Sequence, residues 1–180
     1  MARVLLVAHA LTPSLRHHVF GGDDEPDQAA LAGCPVDATA AAAVLAGPAR
    51  AAVRTAEAFG ATPVVEAALR DCDYGTWTGR RFAEVLAEQP AAVEEWLSDP
   101  RSSPHGGESV EQLVGRVGGW LRTQAGGAGT VVAVTHPAVV RAAVILVLDA
   151  PLDAFRRIDV RPLTTVRLGE QDGRWTLVTT

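Results

Sequence analysis

Two histidines follow short apolar runs directly. His9 comes after residues 3–7, and His136 comes one residue after residues 131–134. Each run has the length and branched composition of a strand covered on both faces. A histidine at such a strand end can be a nucleophile, an acid or base, or a metal ligand. One alone is most simply a polar residue satisfied in a loop. Two at equivalent strand ends point into one crevice, because sites in α/β proteins lie beyond the carboxyl ends of the strands. His17 and His18 are adjacent in a loop but have no metal-ligand spacing, so neither a metal nor a cofactor is expected. His105 is read as part of the turn before a capped helix. Asp73 is either a plain loop residue or a support for its neighbour Asp71.

The elements that must position these groups alternate between strand and helix. Residues 38–45 read as a short buried strand, despite their alanines, because Gly47-Pro48 follows and a helical pattern restarts over 49–59, closed by Gly60. Residues 63–66 are a candidate strand, 71–80 a loop rich in glycine and aromatics, and 82–97 a helix broken near Pro90. Ser109 and Gln112 form a capping box that opens a helix running to about Arg122. A helix over 138–148 follows the clearest strand, and the last thirty residues read as a short helix and a hairpin turning at Asp172-Gly173. The expected fold is a single α/β domain over 1–180, three-layered α/β/α with a mostly parallel sheet.

Bulk properties narrow the function classes. The chain has 180 residues, 48% hydrophobic and 21% charged, enough for one well-buried core. A net charge of −5 argues against a nucleic-acid binder, which needs a basic surface. No apolar run reaches the length of a membrane span, and the apolar start is too short for a signal peptide, so no membrane partner and a cytoplasmic location are expected. Cys34 and Cys72 lack CxxC spacing, and no disulfide is expected. A small-molecule substrate is the expected partner; an oligomer stays open.

Five segments in order carry a resemblance over nearly the whole chain. They are Val4-Leu5-Leu6-Val7-Ala8-His9-Ala10; Gly47-Pro48 through Thr55-Ala56; Leu69-Arg70-Asp71 through Tyr74-Gly75-Thr76-Trp77-Thr78-Gly79-Arg80; His105-Gly106-Gly107-Glu108-Ser109; and Thr135-His136-Pro137 with Arg141. Together they resemble the histidine phosphatase superfamily, the phosphoglycerate mutase-like fold, on its phosphatase branch. The resemblance implies that His9 attacks phosphorus, that His136 binds the transferring phosphoryl group, and that Asp71 protonates the leaving oxygen. Asp71 is one methylene shorter than the family's usual glutamate, so it must sit closer to its target or act through water.

The same resemblance locates departures. Family members carry arginines at the positions of Ala8 and Ala51, an asparagine at Leu15, and glycines at Ala10 and Pro137. The substitutions fall on the groups that cradle phosphate. Transfer of a phosphoryl group depends on positioning and fixed positive charge. Each lost charge-assisted hydrogen bond is worth roughly 1.5–3 kcal/mol. Losing two arginines therefore implies a rate deficit of about 10²- to 10⁴-fold. Arg54, three residues along the helix from Ala51, and Arg16, in the loop after Leu15, are the candidate replacements. Trp77, near Asp71 in the motif loop, is the candidate pocket wall among four tryptophans.

The expected function is an enzyme on a phosphatase scaffold, redirected to elimination, isomerisation, cyclisation or hydrolysis through His9 and His136. The alternatives are a weak or rescued phosphomonoesterase acting through phosphohistidine at His9, and a non-catalytic binding protein. The insert over residues 12–34 is expected to cover the cleft.

Overall fold

The computed structural model describes residues 1–32 and 36–179. Cys34 lies outside them; Cys72 is a free, buried thiol. In chain order the elements are β1 (Ala2–Ala8), α1 (Pro13–Arg16), α2 (Gln28–Leu31), β2 (Ala43–Ala46), α3 (Arg50–Glu57), β3 (Val64–Val65), α4 (Phe82–Glu88), α5 (Pro90–Ser98), α6 (Val110–Gln124), β4 (Gly129–Thr135), α7 (Pro137–Val147), β5 (Thr165–Gln171) and β6 (Arg174–Val178). Short 3₁₀ turns lie at Ala67–Leu69, Gly75–Trp77 and Leu152–Arg157.

The strands form one sheet in the order β3-β2-β4-β1-β5-β6. The pairs among β3, β2, β4 and β1 are parallel, and β5 and β6 are added antiparallel. The mostly parallel α/β fold is as expected. The period of two in β1 builds the layers. Val4, Leu6 and Ala8 pack into a core with residues of α6 and α7, while Val7 joins Ala52 and Ala56 of α3 on the other face.

Local chemistry sets the ends of the elements. The Ser109–Gln112 capping box is present in both directions, with Ser109 N–H donating to Gln112 Oε1 at 2.8 Å and Gln112 N–H to Ser109 Oγ at 3.2 Å. Pro137 occupies the first turn of α7, where a missing N–H costs nothing. Gly60 closes the turn after α3 at φ +75°, and Asp172 and Gly173 both take positive φ, as a two-residue hairpin turn requires. One strand begins later than its sequence suggests. Residues 38–42 are not strand, because Asp37 Oδ1 accepts from both the N–H and the hydroxyl of Thr39 and turns the chain. β2 starts only at Ala43, and of its four residues only Ala46 is fully buried.

A third cluster packs Phe20, Trp77, Val85 and Val93 against Tyr74, Phe82 and Trp96. It ties the insert to α4 and α5. Among the described residues, no helix is long and apolar enough to cross a membrane.

Candidate active site

β1 and β4 are hydrogen-bonded neighbours, with Ala8 opposite Thr135. The next residue on each is a histidine. His9 N–H donates to Thr135 O at 2.8 Å, which continues the ladder by one step. The rings of His9 and His136 therefore meet edge to face, with centroids 4.9 Å apart and planes at 77°. Both side chains are buried.

His9 Nδ1 lies 2.7 Å from Ala10 O. A carbonyl only accepts, so Nδ1 carries the proton and Nε2 keeps its lone pair. Burial, and then the neighbouring His136, lower the His9 pKa from 6.5 to about 4. The ring is therefore neutral at pH 7, available as a nucleophile but weak as a base. The backbone after it is fixed to α3, since Ala10 N–H donates to Thr55 Oγ1 at 3.0 Å and that hydroxyl donates to Ala51 O at 2.6 Å.

Asp71 arrives on a separate loop. Its Oδ2 lies 3.4 Å from His136 Nδ1, and its Oδ1 accepts from Cys72 N–H at 2.8 Å. Opposite this contact, His136 Nε2 is buried without a hydrogen-bond partner among the described residues. Arg116 of α6 shapes the loop. It donates to the carbonyls of Ala68, Arg70 and Asp71 and forms a two-point ion pair with Glu108 at 2.8 and 2.6 Å. Thr135 Oγ1 adds a bond to Leu69 O at 2.7 Å, tying β4 to the same loop.

A small open cleft of about 260 Å³ gives onto this arrangement. Residues 21–23 of the insert, Pro48 and Ala49 before α3, Arg70, Asp71 and His136 line it. His9 lies behind His136 and is not part of the lining. A larger cavity, about 560 Å³, lies at the amino end of β1 between Arg3, Thr130 and β5–β6, and contains neither histidine.

The sequence-predicted residues divide. His9, His136 and Asp71 come together. Ala8 and Ala51 are buried, and Pro137 is half-buried beside His136. Leu15 is half-buried on α1 and does not line the cleft. Three expectations need correction. Arg16 is exposed and paired with Asp27, so it does not fold inward. Arg54 is held on the surface by Glu25 at 3.2 Å and Glu57 at 2.9 Å. Trp77 is not a pocket wall: it is fully buried in the aromatic cluster, with Nε1 donating to Gln89 Oε1 at 3.1 Å. Asp73 supports its own loop rather than Asp71, since its Oδ1 accepts from Gly75 N–H at 2.8 Å. His105 is buried against Trp77, and its Nδ1 accepts from Gly107 N–H. His17 and His18 are exposed, and no group of metal-binding side chains occurs among the described residues.

Sequence reasoning missed Arg70, Asp23 and the Arg116–Glu108 pair. Arg70 had one available signal, its place directly before Asp71. Asp23 had none, since its partners lie far along the chain.

Comparison with known proteins places this chain among relatives. The sequence profile of the histidine phosphatase superfamily (branch 1) matches residues 4–180. A bifunctional protein of Mycobacterium tuberculosis, Rv2228c, is 32% identical over 170 residues, covering 87% of this chain and 47% of its own length. A glucosyl-3-phosphoglycerate phosphatase of Mycolicibacterium vanbaalenii is 34% identical over 119 residues, covering 58% of this chain and 52% of its own. The chain thus spans about half the length of these curated relatives. Among solved structures, a mycobacterial glucosyl-3-phosphoglycerate phosphatase in complex with VO₃ superposes with TM-score 0.84 at 22% identity, over 99% of this chain and 98% of that one. A phosphoserine phosphatase of Entamoeba histolytica superposes at 0.84 with 16% identity, over 99% and 96%.

Proposed function

Given that the chain belongs to the histidine phosphatase superfamily, we propose that it is an enzyme on that scaffold whose chemistry is redirected from phosphoryl transfer to acid–base or hydrolytic reactions of a small molecule. One observation carries this reading: the arginines of the insert and of α3 are each paired with a carboxylate, which leaves Arg70 as the cationic side chain of the cleft lining. Arg16 meets Asp27, Arg50 meets Asp23, and Arg54 meets Glu25 and Glu57, while Arg70 lies 3.7 Å from a Glu108 carboxylate already held by Arg116. One half-exposed guanidinium is little fixed charge for a dianion, whose transfer depends on it.

The remaining groups suit proton transfer. Asp71 orients His136 through Nδ1, so His136 Nε2 is the accepting and donating atom. His9 supplies a second, neutral imidazole whose Nε2 carries the lone pair, because Nδ1 donates to Ala10 O. Elimination, isomerisation, cyclisation and hydrolysis can each use such groups, with His136 as the stronger base of the two.

A specific observation favours a second reading, slow phosphomonoester hydrolysis: Arg70 lines the cleft, and His9 keeps the tautomer that a phosphohistidine mechanism needs. Assays with 4-nitrophenyl phosphate and 4-nitrophenyl acetate separate the two. The proposed function predicts phosphate turnover near the uncatalysed background and acetate hydrolysis that falls at least about tenfold in His136→Ala. Burst release of nitrophenol from the phosphate, with acid-labile phosphate on wild type and none on His9→Ala, would establish the second reading and refute the first. Acetate hydrolysis unchanged in both histidine variants would also refute it.

A further inference from the structure

The amino end of α3 lacks a local cap. Its N-cap residue is Ala49, which has no side chain to accept a hydrogen bond. The acceptor comes instead from the insert, 27 residues away in sequence: Asp23 Oδ1 accepts from Arg50 N–H at 2.7 Å. The second oxygen of the same carboxylate lies 3.5 Å from Arg50 Nε, and the Arg50 guanidinium also donates to the Asp23 carbonyl. Asp23 opens an acidic run, Asp23-Asp24-Glu25, and its other two carboxylates are engaged too. Asp24 accepts from Ser14 N–H at 2.7 Å, and Glu25 lies 3.9 Å from Arg50 and 3.2 Å from Arg54.

This arrangement bears on the cleft, because Asp23 and Ala49 both line it with Asp71 and His136. Free N–H groups at a helix start and a nearby guanidinium are what an incoming anion would use. Here the protein's own carboxylate takes one such N–H and the guanidinium, both of Arg50, one residue from Ala51, where the family resemblance expects an arginine.

We infer that Asp23 determines the charge selectivity of the cleft: it occupies the anion position at the start of α3, neutralises Arg50, and so excludes anionic esters in favour of uncharged substrates. The inference rests on the redirected chemistry proposed above and names the substrate class for it. Removing one negative charge within a few ångströms of a bound anion, in a partly screened setting, changes affinity by about tenfold.

The test is calorimetric titration of the intact protein with inorganic phosphate. Asp23→Asn should bind phosphate about tenfold more tightly than wild type. Asp23→Ser should do the same while keeping an acceptor for Arg50 N–H, and it decides the matter if the asparagine variant does not fold. Adding Arg50→Gln to either should abolish the gain. Glu25→Gln removes the same charge from outside the cleft lining and should change affinity less than about twofold. Unchanged phosphate affinity in both Asp23 variants, or an equal gain in Glu25→Gln, would overturn the inference. The titration needs no turnover, so its failure is distinct from aryl phosphate hydrolysis by wild type, which would defeat the proposed function.

Discussion

Replacing His9 with asparagine removes a titrating ring while keeping a side-chain N–H for the Ala10 carbonyl. In the folded protein burial and the adjacent His136 hold the His9 pKa at about 4, against 6.5 as the ordinary value. As pH falls below 6.5, the unfolded chain takes up a proton that the folded state refuses. Stability linked to His9 is therefore complete above pH 6.5, is lost between 6.5 and 4, and changes no further below 4. The slope within that window is about 1.4 kcal/mol per pH unit, which amounts to a loss of about 2.5 kcal/mol by about pH 4.5. Other groups titrate in the same range, so the quantity to measure is the difference between wild type and His9→Asn. Urea unfolding followed by tryptophan fluorescence, repeated from about pH 7.5 to about pH 4.5, supplies it. Wild type should lose about 2.5 kcal/mol more than the variant across the series. Parallel losses in the two proteins would show that His9 titrates normally in the fold, and would refute the neutral imidazole derived from its burial.

Arg116→Met should destabilise by about 3–5 kcal/mol in chemical denaturation, because it strips the buried Glu108 carboxylate of its two-point partner and leaves only the longer contact to the half-exposed Arg70; adding Glu108→Leu should recover part of that loss. Gly107→Ala should cost at least about 2 kcal/mol in the same assay, since a Cβ there would meet Asp73 O at 2.1 Å and must displace the loop that holds Asp71. Trp77→Ala should cost about 3–5 kcal/mol in thermal or urea unfolding, as expected for a core aromatic rather than a cleft residue.

The parts of the site that rest on short-range pattern were legible in the sequence. His9 and His136 each follow an apolar run, and the strand-end rule alone puts them together. The capping box at Ser109 and the break at Pro90 likewise depend on residues within a few positions. The errors arose where a distant partner decided the outcome. Arg54 lies one helical turn beyond Ala51, but Glu25 and Glu57 hold its guanidinium on the surface. Trp77 is near Asp71 in sequence, yet the aromatic cluster, with Phe20 from the insert and Trp96 from α5, turns it away from the cleft. Residues 38–42 have no helical or strand role because a single Asp37 side chain bends them.

The in-register pairing of β1 with β4 has a consequence beyond the two imidazoles it now carries. The spacing of positions 9 and 136 is set by main-chain bonds, not by the side chains that occupy them. Any two residues written at those positions would inherit the same separation and the same sheltered outlook. The twin strand tips thus work as a socket: reactive groups can be exchanged one substitution at a time while the sheet beneath keeps its shape.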